Sequence, residues 1–152
     1  MMIFYFYFYK KHFIMKDIKV LYGHSNCGKS ETLNYVRELI RSNGGACLSA
    51  NPPYNGDRPE TFRYNGMIVS ICPGGDTADI IYNNFQYAYA KKADIIITAS
   101  RSRGKGCSII ENEAIKNNAK IQWFKKSREY MLSQKTQDAC NREYAKVIFD
   151  TL

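Results

Sequence analysis

The feature that most constrains this sequence is a glycine-bearing loop between an aliphatic stretch and an amphipathic one. The aliphatic stretch, residues 18–22, has the length and composition of a short buried strand. The loop reads GHSNCGKS over residues 23–30, and Gly23 and Gly28 permit a tight backbone turn because glycine has no Cβ. The apolar residues that follow recur at the spacing of one helix face: Leu33, Val36 and Ile40. The sequence therefore predicts a strand, a tight loop and a helix over residues 29–41 in direct succession.

Strands and helices alternate through the rest of the chain. The sequence predicts further strands at 46–50, 67–72, 94–99 and 121–124, and helices that begin near Thr77, Ser108 and Ser127. Asn65-Gly66 is a two-residue hairpin signal, which predicts an antiparallel strand at 60–64 beside the strand at 67–72. We therefore expect an α/β fold, a three-layer sandwich around a mostly parallel five-stranded sheet, with 60–64 as an added hairpin strand.

The loop at 23–30 has the properties of an anion-binding cradle. Backbone amides from Asn26 to Ser30 can point inward as a nest, at a helix N-terminus where the dipole favours negative charge. In this spacing Lys29 reaches the β- and γ-phosphates of a nucleotide, and the Ser30 hydroxyl takes a place on Mg²⁺. The pattern G-x-x-x-x-G-K-[ST] is the Walker A motif, and through it the chain resembles the P-loop NTPase superfamily.

The resemblance is specific for those eight residues and only architectural for residues 18–124. It implies that residues 15–152 form one nucleotide-binding domain with Mg²⁺ and ATP as its ligands. The residues it implies for nucleotide binding are Gly23, His24, Ser25, Asn26, Cys27, Gly28, Lys29, Ser30 and Glu31. P-loop proteins also place a metal-side acid after a hydrophobic strand, and Asp76 is the candidate here, so Ser30 and Asp76 are the expected metal ligands. The alternative for Asp76 is a helix cap, reinforced by Asp79.

Departures from the superfamily's patterns narrow the class of protein. No Asp-Glu pair follows a hydrophobic strand, which argues against a motor-type ATPase. GTPases carry N-K-x-D after a late strand, whereas this chain reads Thr98-Ala99-Ser100-Arg101, so we expect ATP in preference to GTP. The segment ICPGGD resembles, weakly, the Gly-Gly segment of shikimate and related small-metabolite kinases.

Two further loops are expected at the carboxyl edge of the sheet, where ligands bind in such folds. The first contains Arg101 and Arg103, which we expect to act catalytically with Lys29 and Asp76, because an Arg can stabilise the charge of phosphoryl transfer. The alternative is a solvated basic loop. The second loop, residues 51–60, could bind an acceptor, act as a nucleotide-sensitive switch, or serve only as a connection.

Composition limits the remaining possibilities. The formal net charge of +8 favours an anionic partner or a solvated basic surface. The five cysteines have no paired spacing, which favours free thiols, a cytoplasmic location and no structural zinc. Residues 1–14 are an apolar and aromatic stretch too short for a membrane-spanning helix, so we expect an N-terminal extension, or alternatively a membrane-surface anchor.

The sequence supports three functions, in decreasing order. The first is a small kinase-like phosphotransferase that uses MgATP and an unknown acceptor. The second is a nucleotide-dependent switch or slow NTPase that acts through a protein or nucleic-acid partner. The third is a nucleic-acid-associated protein, which no recognised motif supports and which would use the basic residues Lys116, Lys120, Lys125, Lys126 and Arg128.

Overall fold

A computed structural model of the chain describes residues 13–49, 56–127 and 133–152. Within these ranges the chain forms six strands and four helices. In chain order they are β1 (Asp17–Tyr22), α1 (Lys29–Ser42), β2 (Ala46–Cys47), β3 (Glu60–Tyr64), β4 (Met67–Cys72), α2 (Ala78–Ala90), β5 (Ile95–Ser100), α3 (Lys105–Asn117), β6 (Lys120–Lys125) and α4 (Gln134–Phe149).

The strands form one mixed sheet in the order β2-β3-β4-β5-β1-β6. The pairs β4–β5, β5–β1 and β1–β6 are parallel, whereas β3 is antiparallel to both β2 and β4. The predicted hairpin is present, and both of its turn residues, Asn65 and Gly66, have positive φ. The expected count of five strands is wrong, because the strand at 60–64 is a full member of the sheet: it pairs with β2 on one side and with β4 on the other.

Helices cover both faces of the sheet, so the expected three-layer α/β arrangement is found. On one face α1 and α4 contribute the buried residues Leu33, Val36, Ile40, Ala145 and Ile148. On the other face α2 and α3 contribute Ile81, Phe85, Ala88, Ile110 and Ala114. Side chains alternate along a strand, so β1 supplies Leu21 to the first core and Ile18 and Val20 to the second.

Several element boundaries differ from the prediction. The second strand ends at Cys47. Helix α3 begins at Lys105, directly after its N-cap Gly104, and so before the predicted start at Ser108. The final helix begins after its cap Ser133, whose side chain accepts a hydrogen bond from the Thr136 amide. The start predicted at Ser127 leads into residues 128–132, which lie outside the described residues and include Arg128, as does the first half of the 51–60 loop, residues 51–55.

The described part of the chain begins at Phe13, so the expectation for residues 1–14 lies almost wholly outside it. Phe13 and Ile14 are exposed, whereas Met15 is fully buried and its amide donates to Asn117 Oδ1. No helix in the described ranges combines the length and the apolar character needed to cross a bilayer.

Candidate functional site

The loop after β1 lies at the carboxyl edge of the sheet, between the ends of β5 and β6. The Gly23 amide donates to Ser100 O at 3.1 Å, and the Lys126 amide donates to Tyr22 O at 2.8 Å. A Cβ on Gly23 would lie 2.4 Å from Lys126 O, so only glycine fits this close approach. Gly28, the residue before α1, has φ 92°, a left-handed conformation that glycine adopts without strain.

Lys29 folds back across this loop. Its side chain is only 5% exposed, and Nζ donates to Gly23 O at 3.0 Å and to His24 O at 2.7 Å. The Asp76 carboxylate lies 3.8 Å from the same Nζ. The ammonium group is therefore held by carbonyl groups of the loop that leads into α1, whose N-terminus favours a bound anion.

Ser30 hydrogen-bonds to a carboxylate other than Asp76, the residue expected to share a metal ion with it. Its Oγ donates to Asp57 Oδ1 at 2.7 Å, with Pro73 O at 3.4 Å as a second acceptor. The expected metal pair of Ser30 and Asp76 thus has a neighbour, Asp57, which the sequence placed only in the acceptor or switch loop. Asp57 lies 27 residues along the chain from Ser30, so no local pattern could connect the two.

The Asp57 segment is fixed to α1 by two side chains. Asn34 Nδ2 and an Arg37 guanidinium nitrogen each donate to Gly56 O at 3.1 Å. Arg37 also pairs with the fully buried Glu60 at 3.1 Å, and Glu60 accepts a second hydrogen bond from Arg41. Burial lowers the pKa of Arg37, and the hydrogen bond to Glu60 opposes that change.

Asp76 is not the cap of the helix that follows it. The N-cap of α2 is Thr77, whose side chain accepts from the Ile80 amide at 3.2 Å, and the Asp76 side chain remains 54% exposed. The segment that leads to it packs tightly, since a Cβ on Gly75 would lie 2.0 Å from Ala99 O. Asp76 therefore projects from a backbone that is fixed against the end of β5.

These groups surround a cavity of about 450 Å³. Of the residues expected to bind nucleotide or metal, its lining includes Asn26, Cys27, Gly28, Lys29, Ser30, Glu31 and Asp76. Gly23, His24 and Ser25 do not line it, although the first two hold Lys29 through their carbonyl groups.

The opposite wall of this cavity was not predicted. It is formed by Lys126 after β6 and by Gln134, Gln137 and Asn141 of α4. A signal for it exists in the sequence: the helix stripe that buries Ala145 and Ile148 continues toward the N-terminus as Asn141, Gln137 and Gln134, so it changes from apolar to amide side chains. Lys126, considered above for nucleic-acid binding, is only 2% exposed, and its Nζ lies over the Tyr144 ring.

Arg101 and Arg103 line a second, smaller cavity of about 230 Å³. Lys105 also lines this second cavity. Gly75 and Asp76 line both cavities. The structure therefore does not place the two arginines around Lys29, as the sequence suggested; they lie on the other side of the Gly75–Asp76 backbone.

Among the described residues, no group of three or more His, Cys, Asp and Glu side chains lies close enough to hold a metal ion by itself. Comparisons with protein-family models, curated proteins and solved structures found no match for this chain.

Proposed function

We propose that this chain is a P-loop nucleotide-binding protein that binds MgATP and transfers the γ-phosphoryl group to a small acceptor. The observation that supports this best is one cavity, at the N-terminus of α1, lined by a buried lysine, a hydroxyl and two carboxylates: Lys29, Ser30, Asp57 and Asp76. A helix N-terminus with a lysine favours a phosphate chain, and hard oxygen ligands favour Mg²⁺.

The residues fit the two ligands in the following way. Lys29 would bind the terminal phosphates, since it lines the cavity at the loop and its side chain is almost excluded from solvent. Ser30 would hold Mg²⁺, directly or through water, with Asp57 and Asp76. When bound, the metal ion would neutralise negative charge on the β- and γ-oxygens.

The second cavity is the proposed acceptor site. It shares the Gly75–Asp76 segment with the first, so an acceptor there would lie next to the metal-side carboxylate. Arg101, Arg103 and Lys105 give it a positive lining, which favours an anionic acceptor. The arginines would also stabilise charge in the transition state from the acceptor side. A cytoplasmic location, proposed here too, fits an MgATP-dependent protein whose cysteines in the described part of the chain are all free thiols.

The test is ADP release from MgATP by the full chain, alone and with a small-metabolite extract. Turnover that needs the extract, and that Lys29→Ala abolishes, would support a phosphotransferase. Lys146→Ala removes an exposed lysine from the far end of α4 and should leave turnover unchanged. If Lys29→Ala binds and turns over MgATP as well as the unmodified protein, the proposed site is wrong.

A nucleotide-dependent switch is the second candidate, favoured by the hydrogen bond between Ser30 and Asp57. A metal ion at Ser30 would change that bond and could shift the Asp57 segment, which a partner would then detect. In this case MgATP would bind tightly with negligible turnover under all acceptor conditions. Proteolysis of the 56–58 segment should then differ between the ATP and ADP complexes.

A further inference from the structure

Asn141 is a buried amide without a partner. Asn141 lies on α4, its side chain is only 5% exposed, and it lines the larger cavity. Among the described residues it makes no hydrogen bond, although other buried amides do: Asn84, for example, donates to Gly74 O at 2.8 Å and to Thr98 Oγ1 at 3.2 Å. An amide that lines a cavity and has no partner among the described residues keeps both its donor and its acceptor available to a ligand there.

The position of Asn141 defines which part of a nucleotide it would meet. The strand order places β4, and hence Asp76, on one side of β1, and β6 on the other. Asn141 lies on the β6 side with Lys126, and it is so close to the loop that a Cβ on Gly28 would be 2.7 Å from its Oδ1. With the phosphates at the loop and the metal at the carboxylates, the nucleoside would extend toward α4.

We propose that Asn141 is the residue that selects adenine. The amide has a donor and an acceptor side by side, and adenine presents the complementary pair, an exocyclic amine next to a ring nitrogen. On the edge that carries N7, guanine presents two acceptors instead, which suit a basic side chain. Of the basic residues, Lys126 also lines this wall, but its Nζ is directed at Ser127 O, 3.2 Å away, and at the Tyr144 ring. The inference rests on the proposed nucleotide site and adds its base specificity.

The experiment measures binding of MgATP, MgGTP and magnesium tripolyphosphate to the full chain and to Asn141→Leu. We expect the unmodified protein to prefer ATP over GTP about 10-fold or more, the range of a bidentate base contact. Asn141→Leu should lose most of that preference, because ATP binding weakens while tripolyphosphate binding changes by less than about 2-fold. Asn83→Leu makes the same change at an exposed asparagine of α2 that lines neither cavity, and it should keep the preference.

The outcomes separate the two proposals. If neither the nucleotides nor tripolyphosphate bind, the nucleotide site itself is wrong, and the inference falls with it. If tripolyphosphate binds but ATP is not preferred, or if Asn141→Leu keeps the preference, only the role of Asn141 is refuted. A loss of tripolyphosphate binding equal to the loss of ATP binding would show that Asn141 only supports the loop. Asn141→Ala, which removes the amide without adding bulk beside Gly28, serves if the leucine variant does not fold.

Discussion

Gly75→Ala should be severely destabilising, and Gly74→Ala should not. A Cβ on Gly75 would lie 2.0 Å from the Ala99 carbonyl oxygen and 2.2 Å from its carbon, both backbone atoms that no rotamer change can move. To bring this Cβ to an ordinary contact distance from Ala99 O, the ends of β4 and β5 would have to move apart by more than an ångström. The pairing of Cys72 with Thr98 holds these two strand ends together. Overpacking costs about 1–3 kcal/mol. A lost ladder hydrogen bond adds about 1 kcal/mol, so we expect about 3 kcal/mol in total.

Urea unfolding followed by circular dichroism measures this difference, and a thermal melt provides a second estimate. For a chain of this size, about 3 kcal/mol corresponds to a fall in Tm of roughly 6–12 °C. Gly74→Ala is the matched control, because its Cβ would lie 3.1 Å from the Ile80 Cγ2 methyl group, which can move, and it should cost less than about 1 kcal/mol. Equal stability of the two variants would refute the close approach that positions Asp76.

Three other predictions test different parts of the structure. Glu60→Gln should lower the free energy of unfolding in urea by about 3–5 kcal/mol, because it leaves buried guanidinium charge uncompensated, whereas the exposed Glu111→Gln should have little effect. Burial and the hydrogen bond to Glu113 raise the pKa of Tyr89, so its contribution to stability is complete below about pH 10 and is lost as the pH rises further. The stability difference between the unmodified protein and Tyr89→Phe, measured by urea unfolding, should therefore stay constant below about pH 10 and shrink above it. MgATP should slow alkylation of Cys27, which lines the cavity, as measured by mass spectrometry; unchanged labelling would place the nucleotide elsewhere.

Local patterns were sufficient to predict most of the fold. Asn65-Gly66 fixed the hairpin because a two-residue turn with positive φ at both positions suits few other pairs. The loop at 23–30 was recognisable because its glycines, lysine and serine stand at fixed offsets between a strand and a helix. The strand count was wrong because the hairpin signal shows that 60–64 pairs with β4 but not that its other edge pairs with β2, which makes it a full member of the sheet.

The site was less predictable because its groups meet through tertiary packing. The sequence placed Asp57 and Ser30 in separate loops, and it could not show that one hydrogen-bonds to the other. It assigned Arg101 to the same site as Lys29 on the reasoning that both follow strands at one edge. That reasoning omitted the Gly75–Asp76 backbone, which lies between them and divides the edge into two cavities.

The way in which Asp57 is held favours the phosphotransferase over the switch. Arg37 binds the carbonyl of the neighbouring Gly56 with one nitrogen and the buried Glu60 with another. The Arg37 side chain is 1% exposed, so the residue next to Asp57 is held by a donor in the protein interior. A switch segment must leave its position at low cost, whereas freeing this one would leave a buried Arg37 N–H without its acceptor. A metal ligand, in contrast, gains from being fixed in advance, because its position need not be ordered when the ion binds.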